Sequence, residues 1–265
     1  MTYGELIKKA REEEKLTQMA LAEAVGVSAE AVSKWERDVY TPGPDKTPLL
    51  EKVLHLSRYD ENGEPLNGRL FNEEHMSAFL KGKISSGSFP EAAKALDYAK
   101  EKHAGTFRKG PGEIPYIIHP LTMACHALAL GLEDDVLLAA LLLHDVPEEC
   151  GILPQTLPFG EDVRKVVALV TKPPKEQYDA QQYFDAIAAE PVACLVKCID
   201  RCNNLSTMAV GFTGAKMKKY IRETEKWYPR LLRILKAQSK WNNAAWLLEY
   251  QIKSLLLTAR RIPEK

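Results

Sequence analysis

Neither sign of charge prevails in this sequence: Lys plus Arg number 36 and Asp plus Glu 36, so composition confers no general affinity for polyanions. Any nucleic-acid contact has to come from a local patch. Cysteine is scarce and poorly spaced for metal or disulfide work. Cys125, Cys150, Cys194, Cys198 and Cys202 are odd in number and include no C-x-x-C pair, which argues against a zinc ribbon and against a disulfide framework. The last three recur every four residues along one helix, as small buried side chains do, and suit a reducing cytoplasm. No apolar run approaches the roughly 20 residues that cross a bilayer, and the N-terminal MTYGELIKKAREEEK lacks the apolar core of a signal peptide. The expectation is a cytoplasmic protein with no membrane partner. Strand-like alternation, internal repeats and a glycine-rich phosphate loop are missing too, while a hydrophobic content of 45% is ample for a buried core. The expected fold class is all-α.

What is present concentrates between His103 and Glu149. His119 precedes Pro120 and the apolar LTMACHALALG, which sets it in the opening turn of a helix, where proline is tolerated. EDDVLLAALLLHDVPEE reads as a second apolar helix whose polar residues, His144, Asp145, Glu148 and Glu149, gather at its C-terminal end. Such groups are costly to bury unpaired. Residues three and four apart share a helix face, and Pro147 has to kink or end the helix there. A helix that ends in solvated acids gives the same letters, so the dipeptide alone settles nothing. Further on, LVKCIDRCNNLSTM is another apolar helix, begun at Pro191 and interrupted by Asp200, Arg201, Asn203 and Asn204. Imidazole and carboxylate together suit borderline-to-hard divalent ions, which bring a bound water toward a neutral pKa, the chemistry of hydrolysis. His103, in the last turn of PEAAKALDYAKEKHAG, reads as structural or as support for a ligand; His126 reads as a satisfied core histidine and His75 as a surface one.

Taken together, RKGPGEIPYIIHP, HDVPEE and KCIDRCNNLSTM resemble the HD hydrolase domain of the RelA/SpoT homologues, whose hydrolase-only members are the small alarmone hydrolases. The resemblance spans roughly residues 89 to 230. It implies a metal, typically manganese, held by two histidines and two aspartates, which fall here on His119, His144, Asp145 and Asp200. It implies that Glu148 and Glu149 act on the attacking water; the family usually has Asp at the second of these positions, and Glu149 is longer by one methylene. Arg108 and Lys109 match the pair that contacts guanine, while Tyr116, Asn204 and Thr207 match positions lining the nucleotide pocket. MKKYIRETEKWYPRL also looks like the family's helix ending in tyrosine and proline. Lys216, Lys218 and Lys219 on that helix read as a solvated basic face or as phosphate contacts, and CGILPQTLPFG as a lid candidate.

Residues 1–57 form a separate unit. Thr17 opens TQMALAEAV, Gly26 breaks it and Ser28 opens AEAVSKWER, two short helices joined by a tight glycine turn. The TQ, the LA-x-x-x-G-V-S and the SKWER followed by proline resemble the Cro/CI-type repressor domain. The resemblance implies a second helix in the major groove, with Gln18, Ser28, Glu30, Ser33, Lys34 and Arg37 facing DNA. Up to Ser57, however, ten acidic residues stand against eight basic ones, so a packing or dimerisation role stays open beside DNA binding. Trp35 falls on the apolar side of its helix and is expected in the core. Residues 58–88, rich in Asn, Gly, Asp and Ser, read as a linker holding one short helix in LFNEEHMSAFL, and 89–265 as the HD-like unit.

Three functions compete on this reading. The first is a metal-dependent enzyme that removes the 3′-pyrophosphate of guanosine tetra- or pentaphosphate and carries a DNA-binding module. The second is a nucleotide-sensing transcriptional regulator with a weakly active HD unit, and the third an HD phosphohydrolase acting on another nucleotide such as NADPH. The oligomeric state stays open, a homodimer included.

Overall fold

A computed structural model of the chain describes residues 2–56, 72–108 and 114–261, with backbone alone at 209–211. The regular elements among the described residues are all helices, and their one β-bridge, between Phe107 and Pro115, belongs to no strand. None of their helices is long and apolar enough to cross a membrane. The chain divides into two compact units, with the main break in sequence after Asn72.

The first unit holds α1 (Tyr3–Glu13), α2 (Gln18–Val25), α3 (Ala29–Glu36) and α4 (Thr47–Val53). Thr17 and Ser28 cap α2 and α3, accepting from the amides of Ala20 and Ala31, as their sequence positions predict. Gly26 closes α2 in the left-handed conformation at φ 70°, which residues with a Cβ adopt at a cost. Ile7, Leu21, Val25, Val32, Trp35 and Leu50 form this unit's core, so Trp35 is packed inside, as expected.

The second unit begins earlier than the sequence suggested. The stretch read as a linker is helical from Glu73 to Gly87, α5, and buries Ser77, Leu80 and Ile84; residues 57–71 lie outside the described residues. The stripe at i, i+3 and i+7 binds α5 to the core of the larger unit, but flanking Gly, Ser and Lys mask its periodicity. His75 is exposed on it. At the following turn a Cβ on Gly87 would stand 2.1 Å from the ring of Phe89, so glycine is required for that ring to fold back.

Next come α6 (Pro90–Lys102), α7 (Ile118–Ala129), α8 (Asp135–Leu143), the short α9 (Val146–Cys150) and α10 (Glu161–Val170). They are followed by α11 (Ala180–Ala188), α12 (Pro191–Gly211), α13 (Gly214–Lys236) and α14 (Asn242–Ala259). α8 is the central element: Leu137 to Leu143 are all buried. Its first turn also caps a neighbour. Phe89 offers no side-chain acceptor to α6, and Asp135 supplies one instead, accepting from Glu91 N at 3.1 Å and Ala92 N at 2.8 Å. The loop 151–160 is anchored rather than lid-like, because Leu157 and Phe159 are buried and Phe159 meets Tyr98 edge to face at 5.4 Å.

Asp135→Ala strips two amides of their acceptor at the positive end of α6 and should cost about 1–2 kcal/mol. Urea unfolding followed by far-UV circular dichroism measures it; an unchanged midpoint would remove Asp135 from the account of how α6 is fixed.

Candidate metal centre

Four side chains from three separate segments converge in the larger unit. His119 lies in the first turn of α7, ahead of Pro120, whose missing N–H falls where no intrahelical partner exists. α8 ends at Leu143, and His144 and Asp145 form the joint between it and α9, whose second residue is Pro147. The proline thus ends the helix, and the break lets two consecutive residues face one point. Asp200 comes from the middle of α12, which Pro191 begins.

His119 Nε2 lies 3.3 Å from Asp200 Oδ1 and 3.7 Å from Asp145 Oδ2. His144 Nε2 lies 3.2 Å from Asp145 Oδ1 and 4.0 Å from Asp200 Oδ1. His119, His144 and Asp200 are buried, and one ligand atom from each falls within 4.8 Å of the others. Asp145 is the more open member, with 21% of its side chain exposed.

The tautomer of His144 decides what this cluster can bind. Its Nδ1 donates to the Leu141 carbonyl at 2.9 Å, which leaves the Nε2 lone pair aimed at the carboxylates. That buried Nε2 makes no hydrogen bond. A lone pair facing carboxylate oxygens is repulsive unless a proton or a metal ion stands between them, and the mixed nitrogen and oxygen donor set fits a divalent ion in that place. Burial pushes His119 toward the neutral form a metal requires. Burial acts the same way on His144 and is the largest single influence, but the charge and hydrogen bond of Asp145, the charge of Asp200 and the Leu141 carbonyl together outweigh it and hold the ring's pKa above the ordinary value. Asp145 and Asp200 would both be raised by burial; His144 draws the first well below the carboxylate range, and Lys197 with His119 does so for the second.

The surrounding groups orient these four. Tyr116 donates from its hydroxyl to Asp145 Oδ2 at 2.8 Å. The ring of His103 stacks on Tyr116 at 4.8 Å, and neither of its nitrogens has a hydrogen-bond partner. It packs without approaching the cluster as a ligand. Arg108 donates to Asn204 Oδ1 at 2.8 Å, and Asn204 donates in turn to Asp200. Thr207 turns its hydroxyl back to the Asn203 carbonyl at 3.2 Å, and Lys109 lies outside the described residues. Glu148 and Glu149 are exposed on α9, and the amide of Lys172 donates to Glu148 Oε1 at 2.8 Å. His126 is satisfied, bonded to Gln251 and Asn203. Lys216, Lys218 and Lys219 are exposed, and Lys216 sits 3.6 Å over the Phe212 ring.

Sequence reasoning missed Lys197. It is buried one turn before Asp200, with Nζ 3.3 Å from Asp200 Oδ2. Burial alone would lower its pKa, but Tyr183 and Asp200 beside it hold it above the usual lysine value. The available signal was a lone lysine three residues ahead of an acid on an otherwise apolar helix.

In the smaller unit the residues expected to face DNA are divided. Gln18 donates to Glu36 at 2.7 Å, joining a buried network with Arg11, because Glu36 needs a second donor. Its amide therefore points inward. Ser28 caps α3, Glu30 and Lys34 pair at 2.9 Å, and Arg37 is exposed with Nε on the Ser33 carbonyl.

His144→Ala should abolish most binding of a divalent ion, measured by equilibrium dialysis with elemental analysis. The native chain should load better as pH rises through the histidine range, because the proton on His144 has to leave before the ion can take its place. Full loading of the alanine variant would show that the ion binds elsewhere.

Comparison with known proteins points the same way. The sequence pattern of the HD domain family matches residues 95–233, and a helix-turn-helix pattern matches residues 7–60. The chain is 37% identical over 169 residues to a guanosine-3′,5′-bis(diphosphate) 3′-pyrophosphohydrolase of Aquifex aeolicus, covering 60% of this chain and 24% of that one. It is 34% identical to the mouse pyrophosphohydrolase MESH1, covering 48% of this chain and 76% of that one. The chain thus spans about a quarter of the Aquifex relative and most of the mouse one. Among solved structures, a metazoan ortholog of SpoT superposes with a TM-score of 0.51 at 24% identity, over 66% of this chain and 97% of that one. It shares the fold. With more than half its length inside the matched pattern and three-quarters of the mouse protein covered, the chain belongs to the HD domain family, its HD unit preceded by a helix-turn-helix unit.

Proposed function

We propose that the HD unit removes the 3′-pyrophosphate of guanosine 3′,5′-polyphosphates and that the helix-turn-helix unit binds DNA. The observation that carries the first half is the buried, unpartnered Nε2 of His144 facing two carboxylates beside His119. His119, His144, Asp145 and Asp200 would hold a divalent ion, manganese on the family resemblance, which would supply Lewis acidity at phosphorus and lower the pKa of a water. Glu148 and Glu149 take the proton that the attacking water releases. The Lys172 amide fixes Oε1 of Glu148 and leaves Oε2 as the base. Tyr116 holds Asp145 in place through its hydroxyl. Arg108, steadied by Asn204, presents the rest of its guanidinium to the guanine together with Lys109, and Thr207 borders the pocket one turn beyond Asn204.

On the DNA side α3 enters the major groove, with Ser28, Glu30 and Ser33 near the bases and Lys34 and Arg37 on phosphates. Gln18 reaches phosphate only by leaving Glu36. The repressor-like unit and the chemistry of the HD site together suit a cytoplasmic protein.

Purified protein with manganese is expected to release pyrophosphate from guanosine tetraphosphate in preference to its adenine counterpart or NADPH. Changing Glu148 and Glu149 together to Gln should leave metal and nucleotide bound while hydrolysis falls by about 10²- to 10⁴-fold. Arg108→Ala should weaken nucleotide binding instead. Tight binding without turnover in the native chain would make it a sensor, and release insensitive to both glutamates would overturn the roles given to them.

The chain should bind DNA from upstream of its own gene at low salt, and Lys34→Ala with Arg37→Ala should weaken that binding and flatten its salt dependence. Fluorescence anisotropy across a salt series measures both. No binding at low salt would leave residues 1–57 as a packing or dimerisation module.

A further inference from the structure

α14 follows the span that the HD pattern matches and leaves one apolar face exposed within the larger unit. One side, with Ala244, Ala245, Leu248 and Ile252, is buried. The opposite side leaves Trp246 58%, Tyr250 62% and Leu257 66% exposed, with Leu247 at 42% beside them. Positions 246, 250, 253 and 257 recur at i, i+4, i+7 and i+11, one straight seam along the helix. The rings of Trp246 and Tyr250 are parallel within 2°, 6.2 Å apart. Their apolar surface, with both leucines, comes to on the order of 500 Å². That is no scatter of single residues, and with a polar rim it approaches the ~800 Å² per partner of a standard interface.

Along one flank of the seam runs a groove of about 400 Å³, lined by His126, Asn203, Tyr250, Gln251 and Ser254 among others. Its polar groups already satisfy one another. Asn203 Nδ2 donates to His126 Nδ1 at 3.2 Å, and His126 Nε2 donates to Gln251 Oε1 at 3.0 Å. The groove offers shape rather than unmet hydrogen bonds, which suits a side chain better than a polar small molecule.

We infer that this seam docks a second copy of the chain, as an antiparallel pair of α14 helices about a twofold axis. The seam is complementary to its own reverse. With the axis between Gln251 and Ile252, Trp246 of one copy meets Leu257 of the other at the mouth of the groove beside Ser254. Tyr250 then meets Lys253 of the second copy, whose side chain is 68% exposed and pairs with its own Glu249 at 3.0 Å, and the paired ammonium can lie over the ring. A patch that pairs with itself closes into a dimer rather than a filament. The presence of a helix-turn-helix unit argues independently for the same occupant, since such units read paired half-sites as twofold dimers. That second argument rests on the DNA-binding reading; the first does not.

Light scattering on the full chain at micromolar concentration is expected to give a dimer. Trp246→Glu with Leu257→Glu should weaken association more than tenfold, with far-UV circular dichroism and pyrophosphate release per chain unchanged. If that variant fails to fold, Lys253→Cys serves instead. Its two copies stand about 4.5 Å apart along helices ~8–10 Å apart, so a short bis-maleimide should join two chains, with the native chain as control for its own cysteines. A monomeric native chain, including one whose own N-terminal unit covers α14, overturns the inference. So does a dimer that survives both glutamates and gives no cross-link at 253. Light scattering needs neither hydrolysis nor DNA, so failure here is separate from failure of the proposed activity.

Discussion

Asp200 is a carboxylate in the middle of an apolar helical unit, and the larger unit is arranged around offsetting the cost of that burial. Only 9% of its side chain is exposed. An isolated carboxylate there would take up a proton and cease to be a ligand. It stays ionised because Lys197 lies one helical turn away at 3.3 Å and His119 approaches from α7 at the same distance. The neighbouring Arg201 solves a separate problem on another face of α12. Its guanidinium lies 3.7 Å from the ring centroid of Tyr220 and 4.6 Å from that of Tyr228, and pairs with Glu223. One helix thus carries three buried charges on two faces, Lys197 paired with Asp200 on one and Arg201 with Glu223 on the other, and Arg201 ties α12 to α13.

The joint at His144 and Asp145 is the second constraint. In a continuous helix consecutive residues point about 100° apart and could not share a small cavity. Pro147 ends α8, and the turn brings His144 and Asp145 to the same point while α9 sends Glu148 and Glu149 to the exposed rim. The buried pair that would hold an ion and the exposed pair proposed as bases are separated in this way by a few residues of chain.

The elements that could be read from sequence were those in which local chemistry and tertiary role agree. Thr17, Gly26 and Ser28 punctuate α2 and α3 because caps and left-handed turns are local matters. His119, His144, Asp145 and Asp200 were conspicuous because polar residues stand out in apolar helices. Where long-range partners decide, the sequence was mute. α5 looked like linker because its stripe of Ser77, Leu80 and Ile84 is narrow, and only the larger core makes it worth burying. Asp135 looks like any first-turn acid, yet it caps α6, forty-odd residues upstream in sequence. Gln18 sits where a phosphate contact is expected, but Glu36 takes its amide, a pairing that no local pattern encodes.

Lys197 also changes what the centre can accept. Two carboxylates and two neutral imidazoles alone would be neutralised by a divalent ion and left with no attraction for a polyanion. With the lysine ammonium counted, the loaded cluster carries net positive charge inside low-dielectric walls, where such charge acts strongly. Arg108 adds to it from one side. Lys172 adds to it from another, its pKa lowered by burial and by the nearby charge of Lys197. On the proposed function, such charge would favour entry of a nucleotide bearing several phosphates. The neutral overall composition therefore conceals a local concentration of charge, and the same lysine that keeps Asp200 ionised contributes a positive part of it.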